Sequence, residues 1–205
     1  MKALKQLQKP SGFINLFIVL LLGFTFVNAQ NLDEDKSNPD KPETELTPEI
    51  YWDVKAYRPQ ALLFKVKGID KDGNLYDVKA IQSSDDTSVL DVKVLINGEK
   101  LPLKLIVKGD DVYYPLKGIY ADGTLLDIKA INDDGELIDV KGVAKSGNVV
   151  HIRAVTEDSE FYNIIAISPE GKVNNVKGVK MTTNEVETVI NGVEIHAHVK
   201  SLKQD

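Results

Sequence analysis

The chain has 205 residues, a formal net charge of −6 and no cysteine. Because no disulfide can form, an exported domain with this composition depends on side-chain packing and strand pairing for its stability. The acidic balance argues against a nucleic-acid-binding surface, so we expect no nucleic acid among the partners.

Residues 1–29 have the pattern of a secretory signal peptide. Positive charge at Lys2 and Lys5 precedes an apolar run over residues 13–26, and Val27-Asn28-Ala29 supplies small residues for cleavage. The apolar run is shorter than a transmembrane helix normally requires. The pattern therefore predicts an exported protein, periplasmic, cell-surface or extracellular, that does not span a membrane.

Residues 30–48 are rich in Asn, Asp, Glu, Lys and Pro. Such a segment buries too little apolar surface to offset its chain entropy, so we predict a disordered acidic linker. Residues 49–200 are long enough for a substantial core and are predicted to form one β-repeat domain. Residues 201–205 are predicted to be a short tail.

A tetrad of the form Val-Lys-Ala/Gly-Ile recurs through this domain. It begins at Val54, Val66 and Val78, and then six times in succession between Leu116 and Val176, always at a spacing of twelve residues. Apolar and polar residues alternate within each unit, which is typical of a strand with one buried face. Turn pairs such as Asp122-Gly123 separate the units. A fixed period over a whole domain indicates one repeated structural unit.

The charges of the repeat favour an antiparallel arrangement. A parallel solenoid would stack the repeated lysines on one another, and like charges so placed repel. An antiparallel hairpin with a three-residue turn instead sets Lys117 opposite Asp127 and Lys129 opposite Asp139. The same register also predicts Lys141 opposite Asp127.

We therefore predict an all-β fold, an antiparallel up-and-down meander of about twelve short strands. A sheet of that size is expected to close, or nearly close, into a barrel, with two packed sheets as the alternative. Small residues such as Gly68 and Gly118 recur on the apolar face. The register sets Gly118 opposite Leu126, and large against small favours a packed interior; a ligand cavity is the alternative.

The last predicted hairpin, which turns at Asn191-Gly192, carries a candidate metal site. His196 and His198 share one face of its second strand, and the register sets Glu187 opposite His196 and Glu185 opposite His198. Two imidazoles and two carboxylates can bind a divalent metal ion. The alternative is a solvated polar face, and no other cofactor is predicted.

The sequence contains no recognisable nucleophile–base motif, phosphate-binding loop or zinc signature, so we predict a non-enzymatic protein. Three segments break the repeat, namely residues 82–88, residues 100–115 and the tail after Met181, and an enzymatic site is expected there if one exists. Tyr57 and Tyr113 fall on the outer face. They are candidate ligand-binding residues that would stack on a sugar ring, although isolated surface tyrosines are commonly incidental.

The tetrads Val78-Lys79-Ala80-Ile81 and Ile128-Lys129-Ala130-Ile131, together with the signal ending Val27-Asn28-Ala29, resemble those of uncharacterised secreted proteins from Bacteroidota, especially flavobacteria. The resemblance implies that the protein resides in the cell envelope or outside the cell, in a setting where polysaccharides are used. The expected function is non-enzymatic binding or scaffolding at the cell envelope, with a polysaccharide or another envelope component as partner. The alternatives are a barrel that carries a small apolar ligand and an enzyme with its site in a repeat break.

Overall fold

A computed structural model describes residues 48–59 and 63–204 of the chain. The predicted signal peptide and nearly all of the predicted linker lie outside the described residues. No helix long and apolar enough to cross a membrane occurs in the described ranges.

The described residues form thirteen β-strands that pair only antiparallel, which confirms the predicted all-β antiparallel fold. Where the twelve-residue repeat is unbroken, each repeat unit forms one strand. The strands are β1 (Ile50–Tyr57), β2 (Phe64–Ile69), β3 (Leu75–Gln82), β4 (Val89–Ile96), β5 (Glu99–Ile106), β6 (Tyr114–Ile119), β7 (Leu125–Ile131), β8 (Leu137–Ser146), β9 (Val149–Val155), β10 (Phe161–Ile167), β11 (Val173–Val179), β12 (Thr188–Ile190) and β13 (Val193–Lys203).

Hairpin register agrees with the charge pattern of the sequence. Lys117 pairs with Asp127 across β6 and β7, and Lys129 pairs with Asp139 across β7 and β8. The glycine that closes the first of these turns, Gly123, has a φ of 88°. This left-handed conformation is one that a side chain disfavours, which explains the repeated Asp-Gly pair.

The strands close on themselves, but not as an even barrel. Twelve of them meet in four groups of three, which we name junction A (β1, β2, β3), junction B (β4, β5, β13), junction C (β6, β7, β8) and junction D (β9, β10, β11). Within each junction every strand pairs with the other two over a few residues.

Six further pairings connect the junctions. They are β3–β4, β1–β10, β2–β7, β5–β6, β8–β9 and β11–β13, so each junction is joined to each of the other three by one strand pair. Hydrogen bonds can therefore be followed through all twelve strands and back to the first. The remaining strand, β12, pairs with β13.

The junctions explain one wrong prediction. Asp127 does not lie opposite Lys141, because beyond the Lys129–Asp139 pair that edge of β7 pairs with β6, where Asp127 lies opposite Lys117, while β2 pairs along the other edge. Lys141 instead lies opposite Pro115 of β6. A two-stranded register holds only as far as the point where the third strand enters.

One apolar face of the strands is buried in a common core that includes Trp52, Leu103 and Leu105. The small residues fit this core closely. A Cβ atom added to Gly178 would lie 2.6 Å from Leu105 Cδ1, and one added to Gly68 would lie 2.6 Å from a Leu126 methyl carbon. Large side chains from strands other than the hairpin partners therefore fill the space that these glycines leave, in agreement with a packed interior.

The domain continues beyond its expected end at residue 200. Strand β13 runs to Lys203, and its last residues pair with β11 through Ser201 opposite Val176 and Lys203 opposite Asn174. The predicted tail over residues 201–205 is thus largely strand. Its alternating burial, with Val199 and Ser201 inside, continues the repeat pattern.

Candidate functional site

Each junction presents a ring of six outward side chains around three buried apolar ones. The three strands each contribute a triad in which an apolar residue points inward and its two neighbours point outward. At junction C these triads are Pro115-Leu116-Lys117, Asp127-Ile128-Lys129 and Asp139-Val140-Lys141.

In junctions A and C the carboxylates of the ring neutralise most of its lysines. Lys117 bonds to Asp127, and Lys129 and Lys141 both lie within ion-pair distance of Asp139. Although burial opposes ionisation, these lysines hold the pKa of Asp139 below its usual value. Junction A repeats the arrangement with Lys67–Asp77 and Lys79–Asp53 pairs.

The pairings between junctions set like charges opposite each other. Lys79 pairs with Lys93, and Lys104 pairs with Lys117. Cross-strand lysines repel, and the neighbouring aspartates reduce that repulsion. A junction without aspartate is therefore left strongly electropositive.

Junction D is that case. The positions that hold Asp in the other junctions carry His151, Asn163 and Asn175, while Arg153 and Lys177 provide positive charge. These side chains surround a depression of about 550 Å³, and no carboxylate lines it among the described residues. Its lining residues are Val149, His151, Arg153, Asn163, Asn175, Lys177, Leu202, Lys203 and Gln204.

Among the described residues that line the junction D depression, no carboxylate offsets the positive charges of Arg153 and Lys177. Burial and the charge of Arg153 lower the pKa of Lys177, and burial also lowers the pKa of Arg153. Within the described ranges neither side chain takes part in an ion pair. The Lys177 Nζ atom lies 3.3 Å from His151 Nδ1, and burial together with Lys177 and Arg153 lowers the pKa of His151. An incoming anion would meet two desolvated cations and a third group able to gain a proton.

The structure separates the four predicted metal ligands into two pairs. His196 lies at a β-bulge in β13 and is fully buried, with its ring stacked 3.7 Å from that of Tyr114. Its Nδ1 lies 3.4 Å from a Glu185 carboxylate oxygen, whereas His198 Nε2 lies 3.2 Å from Glu187 Oε1. The predicted facing of the pairs is therefore exchanged, because the bulge rotates His196 inward.

No group of three or more His, Cys, Asp or Glu side chains in the described part of the chain is arranged to hold a metal ion. The cation that does approach these residues is the buried Lys180 ammonium group. It donates to the carbonyl oxygens of Asn184 and His196 at 2.8 and 2.6 Å and lies 4.0 Å from Glu187. A divalent metal at His196 and His198 stays a prediction.

A second arrangement of interest joins three residues at junction B. Lys104 of β5 lies opposite His198 of β13, with its Nζ atom 2.7 Å from His198 Nδ1. On the other side of the imidazole is Glu187, whose side chain is only 4% exposed and accepts a hydrogen bond from the Met181 amide. The order is amine, imidazole, buried carboxylate.

The two candidate tyrosines lie in different parts of the fold. Tyr57 of β1 pairs with Asn163 of β10, so its side chain shares a face with a residue that lines the junction D depression. Tyr113 precedes β6, whose partners are β5, β7 and β8. Strand pairing thus connects only Tyr57 with junction D.

The family model for the Family of unknown function DUF7486 matches residues 48–202. The chain belongs to this family. No curated protein and no solved structure matches the chain. The DUF7486 match spans all thirteen strands except the last residue of β13, and hence all four junctions.

Sequence reasoning missed Arg153, Lys177 and Lys104 as site residues of this DUF7486 domain, although two signals existed. Three successive repeats after residue 150 replace Asp by His or Asn, which removes the negative charges that accompany the lysines elsewhere. Lys104 lies in the broken repeat over residues 100–115, one of the segments proposed to hold an enzymatic site. The repeat does not show which strands meet at a junction. Neither signal could therefore be assembled into a site.

Proposed function

We propose that this protein is an exported, non-enzymatic binding protein of the cell envelope, and that its ligand is an acidic polysaccharide bound at junction D. The proposal rests on one observation. The ring of junction D has no carboxylate among the described residues, whereas the rings of the other three junctions retain at least one. Junctions A, B and C each keep at least one Asp in their rings, namely Asp53 and Asp77, Asp91, and Asp127 and Asp139.

The chemistry of junction D suits a carboxylate or sulfate group. A guanidinium group such as that of Arg153 presents paired N–H donors that match the two oxygens of such an anion. Lys177 adds a point charge, while Asn163 and Asn175 add neutral donors and acceptors for hydroxyl groups. Tyr57, opposite Asn163, offers an aromatic face next to the depression, on which a sugar ring can stack.

The cellular part of the proposal depends on the amino-terminal residues. The predicted signal peptide and acidic linker, and the resemblance to secreted Bacteroidota proteins, support residence in the envelope, where acidic polysaccharides are available. The filled core removes the space that an apolar-ligand carrier would need at the glycine positions.

Titration calorimetry with a polyuronate, a sulfated dextran and neutral dextran tests the proposal. We expect both anionic polymers to bind, neutral dextran not to bind, and the affinity to fall with rising salt. The variant Arg153→Gln/Lys177→Gln should abolish binding. The matched variant Lys117→Gln/Lys129→Gln, which removes two lysines from junction C, should retain most of it.

A gain of carboxylates provides a second test at the same junction. Asn163→Asp/Asn175→Asp recreates the charge arrangement of junctions A and C and should weaken binding as strongly as loss of the cations does. Equal binding by the junction C and junction D variants would refute the proposed site. Shortening of the polymer chains during incubation, seen by size-exclusion chromatography, would refute the non-enzymatic part.

A further inference from the structure

Junction B contains a lysine whose surroundings differ from those of every junction lysine paired with Asp. The Nζ atom of Lys104 has no carboxylate partner in the described residues, and its close neighbour is an imidazole nitrogen, His198 Nδ1, at 2.7 Å. The one aspartate of the ring, Asp91, bonds to Lys200 instead. Lys104 is therefore held next to a proton acceptor rather than an anion.

The His198 ring has one nitrogen towards Lys104 and the other towards Glu187. With its proton on Nε2, 3.2 Å from Glu187 Oε1, the ring presents the Nδ1 lone pair to Lys104. The Nε2–Oε1 contact has an ion-pair distance, but Oε1 accepts no aligned hydrogen bond. Such contacts commonly tighten when a ligand binds.

A nucleophile within hydrogen-bond reach of a base that a third group orients is the general arrangement of activated nucleophiles. We propose that Lys104 is such a nucleophile and that junction B captures small aldehydes or ketones carrying an anionic group, as an imine on Lys104 Nζ. His198 acts as the proton acceptor, and Glu187 is a positioning residue. The anionic group would be held by Lys93 and Lys200, which flank the amine on β4 and β13, in exchange for their present contacts with Asp91.

The reaction balances without an oxidant or reductant. The neutral amine of Lys104 forms a C–N bond to the carbonyl carbon while the carbonyl π bond opens onto oxygen. His198 Nδ1 accepts one proton from the nitrogen and returns it to that oxygen, giving a neutral carbinolamine. His198 then transfers the second nitrogen proton to the hydroxyl group, so that the C–O bond breaks, water leaves and the imine C=N bond forms.

The charges around Lys104 also favour the neutral amine, because Lys93 and Lys200 oppose a further positive charge at this position. The groups that face Lys104 are Lys93 and Asp91 on β4, Lys117 on β6, His198 and Lys200 on β13, and Glu187.

Reductive trapping on the purified protein tests the proposal, because the other lysines of the same chain act as internal controls. Glyoxylate with cyanoborohydride converts each imine into a stable carboxymethyl amine, and peptide mapping by mass spectrometry gives a rate for each lysine. At pH 7.5 we expect Lys104 to be trapped at least about tenfold faster than the aspartate-paired Lys67 and Lys129. The advantage should disappear above pH 10.5, where ordinary lysines lose their proton.

Variants separate activation from simple exposure. His198→Ala should slow trapping at Lys104 and raise the pH at which it reaches its maximum, and Glu187→Gln should have a smaller effect in the same direction. Glu194→Gln is the matched control, because it removes an exposed carboxylate from the same strand as His198. It should leave the Lys104 rate unchanged.

Two results would overturn the proposal. One is trapping of Lys104 in the unmodified protein no faster than that of Lys67 at pH 7.5. The other is a Lys104 pKa near 10.5 in an NMR titration of the lysine ammonium groups. Both measurements use the wild-type chain, so they remain decisive if His198→Ala fails to fold.

Discussion

The packing of Leu105 against two glycines predicts a measurable coupling between core positions. Leu105 is fully buried, and its two methyl carbons lie where a Cβ on Gly142 or Gly178 would have to sit. In Gly178→Ala the new Cβ would lie 2.6 Å from Leu105 Cδ1 and 3.0 Å from the Cβ atom of Val150, which cannot rotate away.

Two opposing effects set the expected change in the free energy of unfolding. Replacing glycine by alanine stabilises by about 0.4–1 kcal/mol through the unfolded chain, while overpacking a core costs about 1–3 kcal/mol. We therefore expect Gly178→Ala to lower the free energy of unfolding by about 1–2 kcal/mol, and Leu105→Ala to lower it by about 2–5 kcal/mol. In the double variant the methyl group that Gly178→Ala adds partly fills the cavity left by Leu105→Ala, so the combined loss should be about 1–2 kcal/mol smaller than the sum.

Urea denaturation of the four proteins measures this coupling, provided that the m-values agree. Gly118→Ala is the control, because its Cβ would meet neighbouring carbons no closer than 3.3 Å, and its loss should stay below about 1 kcal/mol. Additive losses in the double variant, or a Gly178→Ala protein as stable as wild type, would refute the packing argument.

Three further predictions concern turns and titration. Ser159 has a φ of 60° where other repeats place glycine, so Ser159→Gly should stabilise by about 1 kcal/mol and raise Tm; an unchanged Tm would contradict this reasoning. The Asp70 carboxylate accepts bonds from the Asn74 side chain and backbone and from Tyr76, which lowers its pKa to about 2. Because the folded pKa is depressed, Asp70 contributes stability above pH 4 that is lost as the pH falls towards 2. The Tm deficit of Asp70→Ala should therefore be full at pH 7 and shrink over that window; a deficit independent of pH would refute the assignment. Protonation of His151, whose pKa burial lowers, should strengthen polyuronate binding as the pH falls below 6, and His151→Gln should remove that gain in calorimetry, with Lys177, Arg153 and Lys203 as the other charges of the depression.

Local features of the fold were predictable because they depend on neighbours in the sequence. The turn glycines and the alternation of apolar residues fix each hairpin, and the Lys117–Asp127 and Lys129–Asp139 pairs follow from them. Contacts between distant repeats were not predictable. Nine repeat units of similar sequence offer many equivalent pairings, and nothing in Lys67 or Lys129 marks them as partners across β2 and β7.

The candidate sites divide in the same way. The proximity of His198 to Glu187 was anticipated in outline, since one hairpin carries both, but the bulge at His196 changed which acid meets which base. The approach of Lys104 depends on a pairing between residues 94 positions apart. Junction D required three substitutions in separate repeats to be recognised as neighbours, which only the strand pairing establishes.

The late position of β13 has a consequence for the order of folding. This strand pairs with β4, β5 and β11, and its Lys200 bonds to Asp91, 109 residues earlier in the chain. Closing loops of that length costs entropy before the contacts form, so these pairings should come late and folding should be slow. A chain synthesised only as far as β12 lacks the third strand of junction B. Such a nascent chain would stay open to chaperones and proteases, and the contact between Lys104 and His198 would form only once β13 has been added.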